Sequence, residues 1–382
     1  MNVADEIGFF RRLPKAVPGL ALIVATTVVI RLWVEPWMAD AVVLGQKGWL
    51  IKVTHLNYIL LGIIMGMLYR NLLFGGRLPD LFADGFRLSR LFIKTGIILL
   101  GSLYTVQAIV KLGAMAIFLI GGFVVLSLVM VLWLGRLMGM ERSMTGVMAN
   151  ACSICGVSAA VATAPAVQAK PAHVAYAIAT ILGFGILTMF ISPFIGHALG
   201  LNDLQYGAWV GTGILNSGQV LAACLAFNPK VAPGTAVSVG EIWNIMRVIS
   251  IPFAVFAVTV WYWSGHEDEA QRGQKSLTTL LVEKFPVFVL GFLGMVLLTS
   301  VGAFGDPGIK GGPPASATIK MIRDWMQWIF GIGLVGLGGY IDFKELAQAG
   351  GAPLKVGLVV GVTKYVLALI VVLLIRDYLV EI

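Results

Sequence analysis

Charged residues are scarce in this chain, and cysteine and histidine are rarer still. Of the 382 residues, 12% are charged, 3 are cysteine and 4 are histidine. Soluble domains carry about 25% charged residues, so this composition excludes a soluble globular protein. The histidines lack metal-ligand spacing, and phosphate-binding loops, nucleophile elbows and H-E-x-x-H motifs are missing. We therefore expect no cofactor, no bound metal and no enzymatic activity.

The chain instead contains many long apolar runs. Hydrophobic residues make up 58% of the chain, and the mean hydropathy is +0.91. A helix needs about 20 apolar residues to cross roughly 30 Å of hydrocarbon, and runs of this length recur along the sequence. We predict an all-α polytopic membrane protein with about 11 transmembrane helices. The predicted spans lie near 18–34, 55–73, 90–106, 112–136, 142–168, 172–197, 204–227, 236–263, 284–303, 319–344 and 353–375.

The basic N-terminal segment bears on processing and on orientation. A cleavable signal peptide is one interpretation, but the small-x-small sequence Ala39-Asp40-Ala41 lies too far beyond the first apolar run, so we expect a retained helix. Lys and Arg are more frequent in loops on the side of the N-terminus. The positive-inside rule then predicts a cytoplasmic N-terminus and a multi-pass chain in the cell inner (plasma) membrane. The net charge of +8 fits loops facing anionic lipid headgroups, and we expect no nucleic acid partner.

Two predicted spans contain helix-breaking sequence. Span five carries "NACSICGVSAAVATAPAV" (150–167), and span ten carries the glycine-rich "GIGLVGLGGYID" (331–342). Glycine costs about 1 kcal/mol in a helix interior, so we expect unwound backbone in both and predict that the two breaks meet at mid-membrane. Their matching positions predict two inverted five-helix repeats, 55–197 and 204–375, preceded by an extra helix and loop at 1–54.

The stretch in span five is a candidate anion cradle. A break at 151–156 starts a half-helix near Gly156, whose free N–H groups favour an anion, with hydroxyl donors from Ser153 and Ser158. The alternative is a kinked helix with a small-residue packing face. We assign to the substrate-binding set, from this stretch and from span ten, Asn150, Cys152, Ser153, Cys155, Gly156, Ser158, Gly336 and Gly338.

Cys152 and Cys155 form a C-x-x-C sequence, which also allows a thiol redox interpretation. A thiol buried in apolar surroundings is inert. We therefore favour the cradle and keep a membrane thiol oxidoreductase as an alternative function.

Polar and ionisable residues within other spans add to the candidate site, because such residues are rare in membranes and usually functional. Arg247 and Asn244 share a helix face at i, i+3. The alternative for Arg247 is an internal pair with Glu241. Three further polar residues of span seven indicate a cavity wall or hydrogen bonds between helices; they are Asn216, Ser217 and Gln219. Three ionisable residues are assigned to coupling or charge balance, namely Glu241, Lys94 and Lys364.

Five segments resemble one known family: "KTGIILLG" (94–101), "SICGVSAAVATAPAV" (153–167), "YAIATILGFGILTMFISPFIG" (176–196), "YGAWVGTGILNSGQVLAA" (206–223) and "GLGGYIDFKELAQAG" (336–350). They are similar to the YeiH-like sulfate exporters of the bile acid/arsenite/riboflavin transporter superfamily. The resemblance implies inverted five-helix repeats, two crossing discontinuous helices, and a core plus a panel domain. Family members often carry a His-Asp pair where this chain has Asn216-Ser217, and Lys where it has Asn244, which leaves an organic sulfonate open beside sulfate.

The function expected from these features is secondary transport, as export of a small inorganic or organic anion across the inner membrane. A cation/proton antiporter is an alternative, with Glu241 and Asp342 as its candidate carboxylates. The lipid bilayer is an expected partner; a coupling ion (proton or sodium) and a second copy of the chain, forming a homodimer, are candidate partners.

Overall fold

The computed structural model describes residues 3–43, 46–47, 58–264, 287–306, 314–344 and 351–375. Their regular structure is helical apart from two antiparallel strands of two residues each, β1 (Val42–Val43) and β2 (Gln46–Lys47). The chain divides into two compact units. The first unit takes 1–106, 225–235 and 287–344, and the second takes 107–224, 236–286 and 345–382.

The helices follow the order of the predicted spans. In chain order they are α1 (Val3–Val29), a π-helical turn (Ile30–Val34), α2 (Glu35–Asp40), α3 (Tyr58–Leu68), a second π-helical turn (Tyr69–Leu73), α4 (Asp80–Leu100), a 3-10 turn (Gly101–Leu103), α5 (Val106–Leu137), α6 (Arg142–Ser153), α7 (Val157–Thr163), α8 (Pro171–Ala198), α9 (Asp203–Gly213), α10 (Ser217–Phe227), α11 (Ala236–Ile249), α12 (Ile251–Trp263), α13 (Val287–Ser300), α14 (Ala317–Gly338) and α15 (Gly351–Leu374).

Several of these helices can cross a membrane by length and composition. Within the described residues, five qualify: Lys15–Asp40, Ile117–Leu137, Ala172–Ala198, Ala236–Trp263 and Gly351–Leu374. Shorter apolar helices lie at Tyr58–Leu73, Ser217–Phe227 and Phe288–Ser300. The starts of the second and ninth predicted spans, 55–57 and 284–286, lie outside the described residues. The all-helical class with several apolar helices is confirmed, while the count of 11 spans and the division into 1–54, 55–197 and 204–375 stay predictions.

The expected break in span ten is wrong. Helix α14 continues through its glycines to Gly338 and packs on α3 and α4 within the first unit. A Cβ at Gly336 would overlap the side chain of Ser89 on α4, and a Cβ at Gly338 would overlap the carbonyl oxygen of Ile63 on α3. These glycines permit close helix contact, as small residues do in membranes. The predicted meeting of two breaks at 151–156 and 331–339 is wrong for the same reason.

Replacing Gly338 with Ala is expected to destabilise the protein by about 1–3 kcal/mol, because the new methyl group meets main chain that cannot move independently. A lower melting temperature of the purified protein measures this effect. The control is Gly294→Ala in α13, where a Cβ meets no atom within 4 Å. An unchanged melting temperature for Gly338→Ala would remove the packing role assigned to this glycine.

In the second unit, α9 packs on α11 and α15, and α6 packs on α7, α8 and α12. Local sequence sets several of the helix starts. The Asn202 side chain accepts a hydrogen bond from the Gln205 N–H at 2.9 Å, and the Gln205 side chain accepts one from the Asn202 N–H at 3.1 Å, which forms a capping box before α9. Pro171 and Pro252 stand in the first turns of α8 and α12, where no backbone donor is needed.

Candidate functional site

The predicted break in span five is present. Helix α6 ends at Ser153 and α7 begins at Val157. Gly156 has φ 71° and ψ −106°, a conformation that side chains disfavour. A Cβ on Gly156 would lie 2.9 Å from Ile181 Cγ2 and 3.3 Å from Asn216 Nδ2. Gly156 therefore permits both the turn and the close approach of neighbouring chain.

A second break lies in span seven, which the sequence analysis treated as one helix. Helix α9 ends at Gly213, Ile214 is extended (φ −73°, ψ 130°), and α10 begins at Ser217. Asn216 caps α10, because its Oδ1 accepts a hydrogen bond from the Gly218 N–H at 3.0 Å. The signal that was missed is this asparagine cap, which follows a glycine within three residues.

The two breaks contact each other inside the second unit. The position of a Cβ on Gly156 is 3.4 Å from the carbonyl oxygen of Leu215 and close to the Asn216 amide. The two breaks that contact each other are thus at 154–156 and 214–216, a pair that the sequence analysis did not predict. We call the region around Gly156 and Asn216 the crossing.

Arg247 of α11 binds the main chain at the second break. Its Nη1 donates to the carbonyl oxygens of Ile214 and Thr212, the latter at 3.4 Å, and its Nη2 donates to Asn244 Oδ1 at 3.0 Å. The side chain is 0% exposed, and its Nε has no hydrogen-bond partner within the described chain. The guanidinium therefore stabilises the carboxyl end of α9 and keeps one buried donor unused.

Asn244 connects Arg247 to Glu241 and to α10. Its Oδ1 also accepts from Ser217 Oγ at 2.8 Å, and its Nδ2 donates to Glu241 Oε2 at 3.1 Å. The Glu241 side chain is buried, and no residue that the structure describes donates to its Oε1. The pair suggested for Arg247 and Glu241 is thus bridged by an amide.

Lys364 of α15 donates hydrogen bonds to main-chain carbonyl groups at the first break, as Arg247 does at the second. Its Nζ donates to the carbonyl oxygens of Ser153 at 2.8 Å and Cys152 at 3.3 Å, and the side chain is buried. A cation near the carboxyl end of a helix is favourable, because carbonyl groups there lack intrahelical partners. Each break therefore has one buried basic side chain that donates to carbonyl groups at the break or just before it.

Other residues of the candidate set lie around the crossing in less central roles. Asn150 Nδ2 donates to Thr163 Oγ1 at 2.8 Å, and Gln219 Nε2 donates to the Leu182 carbonyl at 3.0 Å. The Ser153 hydroxyl donates to the carbonyl of Ala149 in its own helix, so it is not available to a ligand as a donor.

The cysteines are structural neighbours of the crossing. Cys152 and Cys155 are free and buried thiols, and Cys155 faces the backbone of Ser158 and Ala159 in the first turn of α7. Helix α7 has only seven residues, so its N-terminus is a weaker anion site than the sequence analysis expected.

Three residues next to the two breaks are not fully buried. The side chain of Ser158 is exposed, and Ser217 and Gly218 at the start of α10 are half-buried. Ser217 bonds to Asn244, which bonds to Arg247. The Asn244 amide therefore links Ser217 to the guanidinium.

Three predicted residues lie in the other unit. Gly336 and Gly338 belong to α14, and Lys94 belongs to α4. The glycines have the packing contacts described above, and the Lys94 side chain is half-buried. The assignment of Lys94 to coupling stays a prediction.

Several helices that are long and apolar enough to cross a membrane are consistent with a multi-pass membrane protein. The chain belongs to the family described as Conserved hypothetical protein 698, which matches residues 18–357. A "UPF0324 membrane protein" of Nitratidesulfovibrio vulgaris is 58% identical over 369 residues, 97% of both chains, and a second from that organism is 34% identical over 378 residues, 97% of both. "UPF0324 membrane protein YdhF" of Lactococcus lactis is 29% identical over 82% of this chain and 88% of its own. No solved structure matches.

Proposed function

We propose that this chain is a secondary transporter that exports a small anion, sulfate or an organic sulfonate-like anion, by alternating access. One observation carries the proposal. The Arg247 guanidinium is buried at the crossing with an Nε–H that no described residue accepts. A buried donor without a partner costs about 1–3 kcal/mol, and an oxyanion at this position would remove that cost while pairing with the positive charge.

The surroundings of Arg247 support the same interpretation. Non-helical backbone at membrane depth is tolerated where it is buried in protein or lines a wet cavity, and transporter sites are commonly built from discontinuous helices. Asn244 and Asn216 offer neutral contacts next to Arg247, and the partly exposed Ser158 and Ser217 support entry of the anion from their side. The proposed anion lies between Arg247, Asn244 and these two serines.

The finer assignments belong to the same proposal. They are membership of the YeiH-like sulfate exporter group, 11 spans in two inverted five-helix repeats, a cytoplasmic N-terminus in the cell inner membrane, and a coupling ion, proton or sodium. The resemblance of the quoted segments supports the group and the repeats. The distribution of Lys and Arg supports the orientation.

Two alternative functions remain, and each is judged by one feature of the structure. Glu241 is a buried carboxylate with an oxygen that nothing in the described chain donates to, which favours a cation/proton antiporter; Asp342 is instead paired with Arg70 at 3.0 Å. A thiol oxidoreductase would use Cys152 and Cys155, which are both free thiols but buried. Buried thiols are inert towards exchange, so we rank this function last.

Transport by the purified full chain in proteoliposomes tests the proposal. We expect saturable uptake of radiolabelled sulfate or methanesulfonate, faster than in protein-free liposomes and dependent on an imposed proton or sodium gradient. The double variant Cys152→Ser, Cys155→Ser is expected to perturb this uptake without abolishing it. Dissipation of the ion gradients without anion movement would favour the antiporter, and loss of all activity in the double variant would favour the oxidoreductase.

A further inference from the structure

The two helices on either side of the first break lie side by side. Glu141 stands before α6 and Lys170 follows α7, and their side chains form an ion pair at 3.0 Å. Between the helices, Asn150 Nδ2 donates to Thr163 Oγ1 at 2.8 Å. A membrane span would separate its two ends by roughly 30 Å, the thickness of the hydrocarbon. The chain therefore turns back at 154–156 and returns to the level from which it came. We call α6 and α7 the first hairpin.

The helices on either side of the second break have the same arrangement. The Tyr206 hydroxyl, near the start of α9, donates to the carbonyl oxygen of Ala223, near the end of α10, at 3.2 Å. These residues are 17 apart in sequence, which in one straight helix would separate them by about 25 Å. The Asp203 carboxylate accepts from the Ala236 N–H at 2.9 Å, so α11 begins at the level at which α9 began. We call α9 and α10 the second hairpin.

Each of these four helices is too short to cross a bilayer. They contain 12, 7, 11 and 11 residues, and the longest is about 18 Å in length. Apolar segments of this size enter membranes as re-entrant segments, provided that the non-helical tip is buried in protein or lines a wet cavity. The two tips contact each other at Gly156 and Asn216, and Asn216 is buried. The lengths and the tips therefore both fit re-entrant hairpins.

Two long apolar segments connect the open ends of the hairpins. The segment Ala172–Ala198 of α8 begins at the open end of the first hairpin, and α9 follows its other end after a short connection. The segment Ala236–Trp263, which contains α11 and α12, begins at the open end of the second hairpin and ends at that of the first. There, Trp263 Nε1 donates to the Ala166 carbonyl at 3.2 Å. Both segments are long enough to cross a membrane, so the two open ends lie at opposite faces.

We infer that the two hairpins are re-entrant, that they enter the membrane from opposite faces, and that each gates the anion site for the face from which it enters. The gating rests on the proposed function, because it concerns access of the anion to Arg247, whereas the re-entrant topology does not. The 11 proposed spans become nine, since 142–168 and 204–227 leave the membrane at the face where they enter. The hairpins keep an inverted relation, and two opposed gates suit a site that opens to one face at a time.

The distribution of Lys and Arg assigns each hairpin to a face. Arg142 and Lys170 lie at the open end of the first hairpin, and the connection that follows α12 at this face contains Arg272 and Lys275. The connection between α10 and α11, at the opposite face, contains one basic residue, Lys230. By the positive-inside rule, the first hairpin therefore opens to the cytoplasm and the second to the other side.

Labelling of single introduced cysteines by a membrane-impermeant maleimide tests the topology in cells that express the full chain. The four variants are Glu141→Cys, Lys170→Cys, Leu199→Cys and Lys230→Cys, all at exposed positions. The native cysteines are buried, so the unmodified chain gives the background. We expect the last two variants to react in intact cells, and the first two to react only after permeabilisation. Unchanged melting temperatures of the purified variants control for folding.

The labelling pattern decides the topology whichever way the chain is oriented. If both segments crossed the membrane, the four positions would alternate between the faces in chain order. If both are hairpins, Glu141 reacts together with Lys170, and Leu199 together with Lys230. An alternating pattern therefore overturns the inference. Two pairs with the faces exchanged would overturn only the assignment of the first hairpin to the cytoplasm.

A disulfide between the first hairpin and α12 tests the gate. A Cβ on Gly146 would lie 3.1 Å from Val258 Cγ1, which is close enough for cysteines at the two positions to form a disulfide. For the double variant Gly146→Cys, Val258→Cys in proteoliposomes, we expect oxidation to abolish uptake of radiolabelled sulfate or methanesulfonate and reduction to restore it. The oxidised protein is expected to bind methanesulfonate still, because the second hairpin can open. The two single variants, oxidised in the same way, are the controls.

The second hairpin offers a matching disulfide if the first double variant does not fold. A Cβ on Gly240 of α11 would contact the native Cys224 Sγ of α10, so Gly240→Cys is expected to give the same reversible loss of uptake. Normal uptake with the disulfide formed overturns the gating, while the re-entrant topology stands. Absence of uptake by the unmodified chain overturns the proposed function instead, and the labelling pattern still decides the topology.

Discussion

Replacing Arg247 with Gln is expected to lower anion affinity about thirtyfold or more, which corresponds to roughly 2–5 kcal/mol for one partner of a buried, hydrogen-bonded charge pair. Glutamine keeps one amide donor near Ile214 and Asn244 but loses the charge and the free Nε–H. Titration of the purified variant with methanesulfonate, and uptake into proteoliposomes, measure the loss. Arg247 is the only arginine among the buried side chains of the described chain.

Arg247→Lys is expected to recover only part of the affinity. Lysine restores the charge but not the planar fork, which here serves two carbonyl groups and one amide at the same time. Arg136→Gln at the exposed end of α5 is the matched control, and it is expected to bind and transport as the wild type does.

The arginine also has a structural role, because it satisfies the carbonyl groups at the end of α9. A moderate decrease of the melting temperature in Arg247→Gln is therefore expected together with the loss of affinity. Normal transport by the folded variant would contradict the binding role. A variant that only fails to fold would assign Arg247 to helix capping alone, and Arg247→Lys would then show normal affinity.

Replacing Gly156 with Ala is expected to destabilise the protein by about 2–4 kcal/mol. Two costs add at this position. The backbone has φ 71°, which an L side chain disfavours, and the new Cβ lies 2.9 Å from Ile181 Cγ2. Thermal unfolding of the purified variant measures the effect, and anion affinity is expected to fall as well because Asn216 must move.

Gly122→Ala in α5 is the control for this change. It lies in the same unit, its Cβ would meet no atom within 4 Å, and its backbone is helical. Alanine is favoured over glycine in a helix by about 1 kcal/mol, so the control is expected to be unchanged or slightly more stable. Equal stabilities of the two variants would mean that the turn at Gly156 is not strained for alanine.

The local sequence predicted one helix break correctly and one wrongly, because glycine has two different uses in packed helices. Glycine serves both where backbone must turn and where two helices must approach closely. At Gly156 the first use applies, with a positive φ. At Gly336 and Gly338 the second applies, because α14 packs on α3 and α4. The composition of the two stretches does not distinguish these uses, since the neighbouring helix that decides lies far away in sequence.

The ionisable residues show a similar division. Arg247 and Lys364 stood out in the sequence because charges inside apolar runs are rare. Their partners did not, because they are main-chain carbonyl groups: Ile214 lies 33 residues before Arg247, and Ser153 lies 211 residues before Lys364. Every residue has a carbonyl group, so no residue type marks the one that a cation will bind.

The sequence by itself determined the all-helical class with several apolar helices, because the length and apolarity of a run suffice to predict a membrane helix. It also determined which polar residues are unusual for such helices. Only the tertiary structure decided that the second break is at 214–216, that both breaks lie in one unit, and that each holds a buried cation. These features depend on contacts between helices distant in the chain, and hydropathy along one helix contains no information on the neighbour that satisfies its exposed backbone.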